Sequence, residues 1–331
     1  MAGAYILGCE GPALTAAEVS FFRAADPWGF ILFERNIEDK AQVRALARAL
    51  RDAVGRDAPV LIDQEGGRVQ RMWPPVWTQH LPALDMCEKL RDAARAMYLR
   101  GRLIAHELHE IGIDVNCAPL GDIAEDATHP RLKNRCYARD ADTVAKLARA
   151  LTDGQLAGGV LPVLKHIPGH GSSTKDTHVD LPFVAKRKED LHAHDFAPFK
   201  ALKDLPLGMT GHLIFSAYDE SAPATTSPEM HRVIREEIGF AGLLMTDDLS
   251  MEALSGSITE RSHAALNAGC DLILHCNGKL AEMEEVAAFG AMTSEAAQRA
   301  DAALAWRNEP DDVDIAALTN EFRSLTEGTA A

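Results

Sequence analysis

The chain has 331 residues, of which 47% are hydrophobic and 25% charged, an ordinary globular composition, and its longest apolar runs (YILGC, GFILF, GLLM, DLIL) are far too short to cross a bilayer. A formal net charge of −15 without any basic stripe argues against nucleic acid as a partner and favours a neutral or small one.

The N-terminal MAGAYILGCEGPAL lacks a basic n-region, so its apolar part reads as a first strand rather than as a signal peptide. The six Cys (Cys9, Cys87, Cys117, Cys136, Cys270, Cys276) contain no C-x-x-C pair and sit mostly in apolar surroundings. Reduced buried thiols are therefore expected instead of disulfides or a zinc site, and with them a cytoplasmic location.

Eight short apolar runs follow in order: AYILGC (4–9), GFILFE (29–34), PVLIDQ (59–64), IDVNCAP (113–119), VLPVLKH (160–166), LGMTGHLIF (207–215), GLLMTDD (242–248) and DLILHC (271–276). They are nearly continuous in hydrophobicity, as strands buried on both faces are. Between them lie stretches of helical period such as DKAQVRALARALRDAV and AARAMYLRGRLIAHELHEIG, the second ended by Gly112. Strand and helix alternating eight times predicts an α/β fold, a single (β/α)8 TIM-type barrel. The barrel is expected over 1–310, with a C-terminal helix and tail over 311–331. An open doubly wound sheet is the competing architecture, but GCEGPAL does not match the Gly-rich phosphate turn that would follow its first strand.

In such a barrel the C-terminal strand ends face the active site. There the sequence places Asp63, Lys165, His166, His212 and Asp247. Asp63 has two readings: a cap for its turn with Arg71 as ion-pair partner, or a site residue. Lys165 and His166 are adjacent, so a regular strand would send them to opposite sides. Glu65, Arg68 and His170 are left open, and His212 is expected to stand behind the site. The charge runs KRKED (186–190) and REE (235–237) read as solvated helix ends.

Taken together, DQEGGRVQR, KHIPGHG followed by DTH, TDDLSM, AGCDLILHCN (268–277) and NCAP (116–119) resemble the signature of the bacterial β-N-acetylhexosaminidases of glycoside hydrolase family 3, the NagZ type. The resemblance implies a (β/α)8 barrel, Asp247 as catalytic nucleophile, and His178 with Asp176 as an acid/base dyad. It also implies that Asp63, Arg71, Arg135, Lys165 and His166 bind the sugar. Around Arg135 this chain reads HPRLKNRCYARD, where the family more often shows R-S-F or R-A-F. The implied substrate is a small carbohydrate, terminal β-linked N-acetylglucosamine released from anhydromuramyl peptides in peptidoglycan recycling. A monomer without cofactor or metal is expected, acting on neither nucleic acid nor a membrane.

Retaining glycosidases normally use two carboxyl groups, and here the second role falls to a histidine. Its ordinary pKa of ~6.5 lies near neutrality, and a hydrogen-bonded Asp176 favours the charged form that protonates the leaving oxygen. With Gly169, Gly171 and a Ser-Ser-Thr run, KHIPGHGSSTKDTHVDLP is expected to anchor at Lys165 and His166 and to deliver the acid late. Asp248 is expected to bond loop backbone. The alternative function is a metal-dependent hydrolase of the amidohydrolase type. Its H-x-H should end strand one, whereas His192 and His194 lie in a helical stretch. A Schiff-base aldolase built on Lys165 and a non-catalytic sugar-binding protein are further rivals.

Overall fold

The computed structural model describes residues 1–173 and 181–327. Eight parallel strands close into a barrel: β1 (Gly3–Leu7), β2 (Pro27–Leu32), β3 (Val60–Ile62), β4 (Val115–Asn116), β5 (Leu161–Ile167), β7 (Leu207–Thr210), β9 (Leu243–Asp248) and β10 (Leu272–His275). Neighbours run β1-β10-β9-β7-β5-β4-β3-β2, and β2 closes on β1. Two further strands, β6 (Phe183–Val184) and β8 (Ile214–Phe215), form a small parallel sheet outside the barrel. LGMTGHLIF is thus two strands rather than one, because the chain leaves the barrel after Thr210 and pairs with β6 from Ile214.

Alternation along the strands separates two cores. Ile6, Ile31, Leu61, Val115, Val163, Leu207 and Met245 share the cluster that fills the barrel, while Tyr5, Leu7, Phe30, Leu32, Val60 and Ile62 pack outward. The surrounding helices present apolar stripes to that outer face. The helix Lys40–Val54 starts where the Asp39 side chain accepts from Gln42 N–H, and it buries Val43, Leu46, Ala47, Leu50 and Ala53. This is the i, i+3, i+4 stripe of a helix lying on a sheet, so Leu50→Ala would cost about 2–5 kcal/mol.

The helices Ala93–Glu110 and Ala141–Ala157 cross in close contact. A Cβ at Gly101 would come 2.2 Å from Leu151 O, and one at Gly154 2.1 Å from Tyr98 O, so the crossing requires both glycines. The helix Ile315–Glu327 docks on Ala93–Glu110 through a two-pronged Arg95–Glu321 pair at 2.7 and 2.8 Å and through the partly buried Phe322 and Leu325. No described helix is long and apolar enough to cross a membrane, and all six cysteines are buried and free.

Two charge runs differ from the solvated helix ends expected of them. Lys186 reaches Glu125 and the buried Asp195 at 2.6 and 2.8 Å, and Arg235 reaches the buried Asp271 at 2.7 Å. Each cation is drawn inward by a buried carboxylate, and Asp271 takes a second cation as well, Arg299 at 2.7 Å.

Candidate active site

One cavity of about 190 Å³ opens at the C-terminal strand ends, and Asp63, Arg68, Arg71, Arg135, Lys165, His166, His170, Asp247 and Asp248 line it. Asp63 follows β3 and is held on both oxygens, by Lys165 Nζ at 2.8 Å and Arg71 Nη2 at 3.0 Å. Arg71 in turn lies over the Phe33 ring, 4.9 Å from its centroid. Burial works against the Asp63 charge, but Lys165 and Arg71 outweigh it and hold the carboxyl well below the usual range.

Glu65, two residues on, carries a second cation pair. Arg135 donates to its two oxygens at 2.9 and 2.8 Å, and Lys165 Nζ lies 2.6 Å from Oε1. Burial would raise Glu65, yet Arg135 and Lys165 bring it down to about 2. For Lys165 itself, burial alone would discharge the ammonium, but Asp63 and Glu65 raise it above the ordinary lysine value. A lysine clamped as a cation is the opposite of the free amine that Schiff-base chemistry needs.

Lys165 and His166 both line the cavity, against the expectation for a regular strand. The β5–β7 register shifts between Leu164 and Ile167, so the alternation of faces does not run through this strand end. The Lys165–His166 peptide bond is cis. His166 Nδ1 lies 2.8 Å from Asp122 Oδ2, and Asp122 Oδ1 accepts from His170 N–H at 2.7 Å. A carboxylate only accepts, so Nδ1 carries a proton and Nε2 faces Arg135 Nη2 at 3.4 Å.

Asp247 ends β9. Among the described residues no cation pairs with it, and its Oδ1 accepts the Asp248 N–H at 2.8 Å. Burial opposes its charge, but the polar rings of His212 and His166, that N–H and Lys165 hold it below the usual carboxylate value. It is therefore an ionised carboxylate facing the cavity, with one backbone hydrogen bond and no ion pair among the described residues. Asp248 is committed to loop groups: Ser250 N–H and Oγ at 3.0 and 2.6 Å, and Cys276 N–H at 3.2 Å. His212 does not line the cavity and stands behind β9. Asp176 and His178 lie outside the described residues.

Two participants went unassigned in the sequence. Glu65 was visible in D-Q-E-G-G but had no identified partner. Asp122 follows β4 with nothing local to link it to His166. The loop bearing Asp63, Glu65 and Arg71 is fastened from behind by Arg100, a buried guanidinium on the helix Ala93–Glu110 that donates to Glu65 O at 3.2 and 2.6 Å and to Leu81 O at 2.8 Å. Gly66 sits against that guanidinium with φ 95°, and a Cβ there would come 2.1 Å from Arg100 Nη2.

A closed parallel barrel whose mouth sets an ionised aspartate, without an ion-pair partner among the described residues, beside a cluster of charged hydrogen-bonding groups is the architecture of a barrel glycoside hydrolase. Residues 24–305 match the glycosyl hydrolase family 3 N-terminal domain, and the chain belongs to that family. A protein named Beta-hexosaminidase from Tolumonas auensis is 33% identical over 314 residues, covering 92% of this chain and 91% of its own length. One of the same name from Bordetella avium is 35% identical over 284 residues, covering 83% and 81%. Among solved structures, NagZ from Neisseria gonorrhoeae in complex with N-trifluoroacetyl-D-glucosamine is similar with TM-score 0.87 and 27% identity, covering 100% of this chain and 98% of that one.

Proposed function

We propose that this glycoside hydrolase is a retaining exo-β-N-acetylglucosaminidase that works through a covalent glycosyl-Asp247 intermediate. The observation that carries this is the contrast at the cavity: the Asp63 and Glu65 carboxylates are ion-paired with Lys165, Arg71 and Arg135, while Asp247 is the one of the three with no ion-pair partner among the described residues. A carboxylate free to attack an anomeric carbon belongs where its neighbours bind hydroxyls. The cavity is smaller than the ~300–1,000 Å³ of pockets for larger ligands, which suits one terminal sugar. The names of the relatives support the N-acetylated sugar.

In this reading Asp63, Arg71, Lys165 and His166 hold the sugar hydroxyls, and Arg135 both contributes there and fixes Glu65. His178, tuned by Asp176, protonates the leaving oxygen and then activates water. Asp122 fixes the tautomer of His166. The physiological substrate would be the N-acetylglucosaminyl-anhydromuramyl peptides of peptidoglycan recycling, met in the cytoplasm by a monomer without metal or cofactor. The metal-dependent alternative loses support because His192 bonds Glu237 and Tyr218 at 2.7 and 2.8 Å, away from the cavity.

Mass spectrometry after incubation with a 5-fluoro N-acetylglucosaminyl fluoride tests the central claim. The label is expected on the peptide carrying MTDDLSM. An unlabelled enzyme that a thiazoline inhibits completely would mean that the substrate's own acetamido group is the nucleophile.

A further inference from the structure

His212 and Thr225 take no part in the reading above, yet both are fully buried and bear on the strand end that carries Asp247. His212 Nε2 lies 3.1 Å from the backbone oxygen of Asp248, and Nδ1 lies 2.8 Å from Thr225 Oγ1. A carbonyl oxygen only accepts, so the proton of a neutral ring sits on Nε2, and Nδ1 must accept from the Thr225 hydroxyl. Thr210 Oγ1, 2.9 Å from Thr225 Oγ1, supplies a hydrogen to that oxygen in turn. Gly211 O at 3.2 Å is the longer alternative for the Thr225 proton. Burial pushes His212 below its ordinary value against the pull of Asp247, in keeping with a neutral ring.

What His212 grips is a residue already fixed elsewhere. The Asp248 carboxylate is tied to Ser250 and to Cys276 N–H, and its own N–H donates to Asp247 Oδ1. With the carbonyl held as well, Asp248 becomes a bracket whose N–H has one direction to point. We propose that His212 and Thr225 are positioning residues: the Asp248 carbonyl sets the Nε2–H tautomer of His212, the Thr225 hydroxyl holds the ring in place from Nδ1, and the ring so held anchors the strand end at Asp248, whose N–H bonds the nucleophilic carboxylate. This rests on the reading of Asp247 as nucleophile.

The test uses the full-length enzyme and an aryl N-acetylglucosaminide. Thr225→Val keeps the shape but removes the hydroxyl that holds the His212 ring from Nδ1. It is expected to lower kcat on the order of 10²-fold, the cost of a slightly misplaced reacting group, with KM and the thermal midpoint little changed. His212→Gln, whose amide nitrogen reaches the Nε2 position, should keep more kcat than His212→Asn, whose amide reaches only Nδ1. Nitrogen-15 NMR of the unmutated enzyme should show a neutral Nε2–H ring at His212. An Nδ1–H or charged ring there would overturn the proposal. So would unchanged kcat in Thr225→Val and His212→Asn alongside an inactive Asp247→Asn. An active Asp247→Asn would instead overturn the nucleophile reading, and this one with it.

Discussion

Arg135 grips Glu65 through Nε and Nη2 at 2.9 and 2.8 Å, and both side chains are largely shielded from water. Removing one partner of a buried ion pair costs about 3–5 kcal/mol because the other charge is left uncompensated. Lys165 still faces Glu65 when Arg135 is lost, so Arg135→Met is expected to destabilise by about 3 kcal/mol, at the lower end. Urea unfolding of the two proteins at neutral pH measures it. A midpoint shift near zero would mean that Lys165 alone satisfies Glu65.

Glu65 also predicts an acid limb of stability. Its folded value of about 2 lies below the ordinary 4.5, with burial opposing and Arg135 and Lys165 prevailing. A depressed carboxyl contributes stability that is fully present above the ordinary value and is lost as pH falls toward the folded one. Between roughly pH 5 and pH 2, Glu65→Gln should therefore have a flatter stability curve than the unmutated chain. Thermal midpoints taken across that window should converge as pH falls. Parallel curves would show that Glu65 does not titrate there.

If His178 is the general acid, His178→Ala will slow hydrolysis of substrates with poor leaving groups by about 10²–10⁴-fold, the usual range for acid–base catalysis. Activated aryl glycosides, which leave without protonation, should lose far less in the first step. Equal losses on both would assign His178 to binding. Azide added to the variant gives a second readout, since an anionic nucleophile needs no base to accept the glycosyl group from Asp247.

Activity is expected to survive dialysis against EDTA. Among the described residues, Glu125, His194 and Asp195 are the group whose spacing suits a metal ion, but the Lys186 ammonium already lies 2.6 and 2.8 Å from the two carboxylates. An internal cation there repels a second one. Loss of activity on chelation, restored by a divalent ion, would contradict this.

The barrel was legible because its strands are buried on both faces, and a run such as GLLMTDD then looks apolar until it reaches the mouth. From the residues alone, cavity-lining groups stood out where a polar residue interrupted such a run, as at Asp63, Lys165 and Asp247, while Arg135 entered only through the resemblance of motifs. Partners were not legible. Lys165 meets Asp63 across 102 positions, Arg135 meets Glu65 across 70, and His166 meets Asp122 across 44; barrel closure makes these pairs, and local spacing carries no trace of it. The same limit explains Lys186 and Arg235, whose buried acids Asp195 and Asp271 lie on other elements. The break in LGMTGHLIF depends on β6, a two-residue strand too short to announce itself.

The fastening by Arg100 has a consequence for anyone redesigning this enzyme. Its three short bonds reach main-chain oxygens, those of Glu65 and Leu81, with Met86 Sδ a longer contact at 3.7 Å, so within 66–81 the guanidinium reads backbone rather than side chains. Gly66, pressed against it, and Gly67, at φ 60° against Pro82, are exceptions. Residues such as Arg68 and Val69, which line the cavity, can be varied to alter sugar preference while Arg71, which holds Asp63, and Gln70, which bonds the loop's own backbone, are kept, and Arg100 is the residue to leave alone.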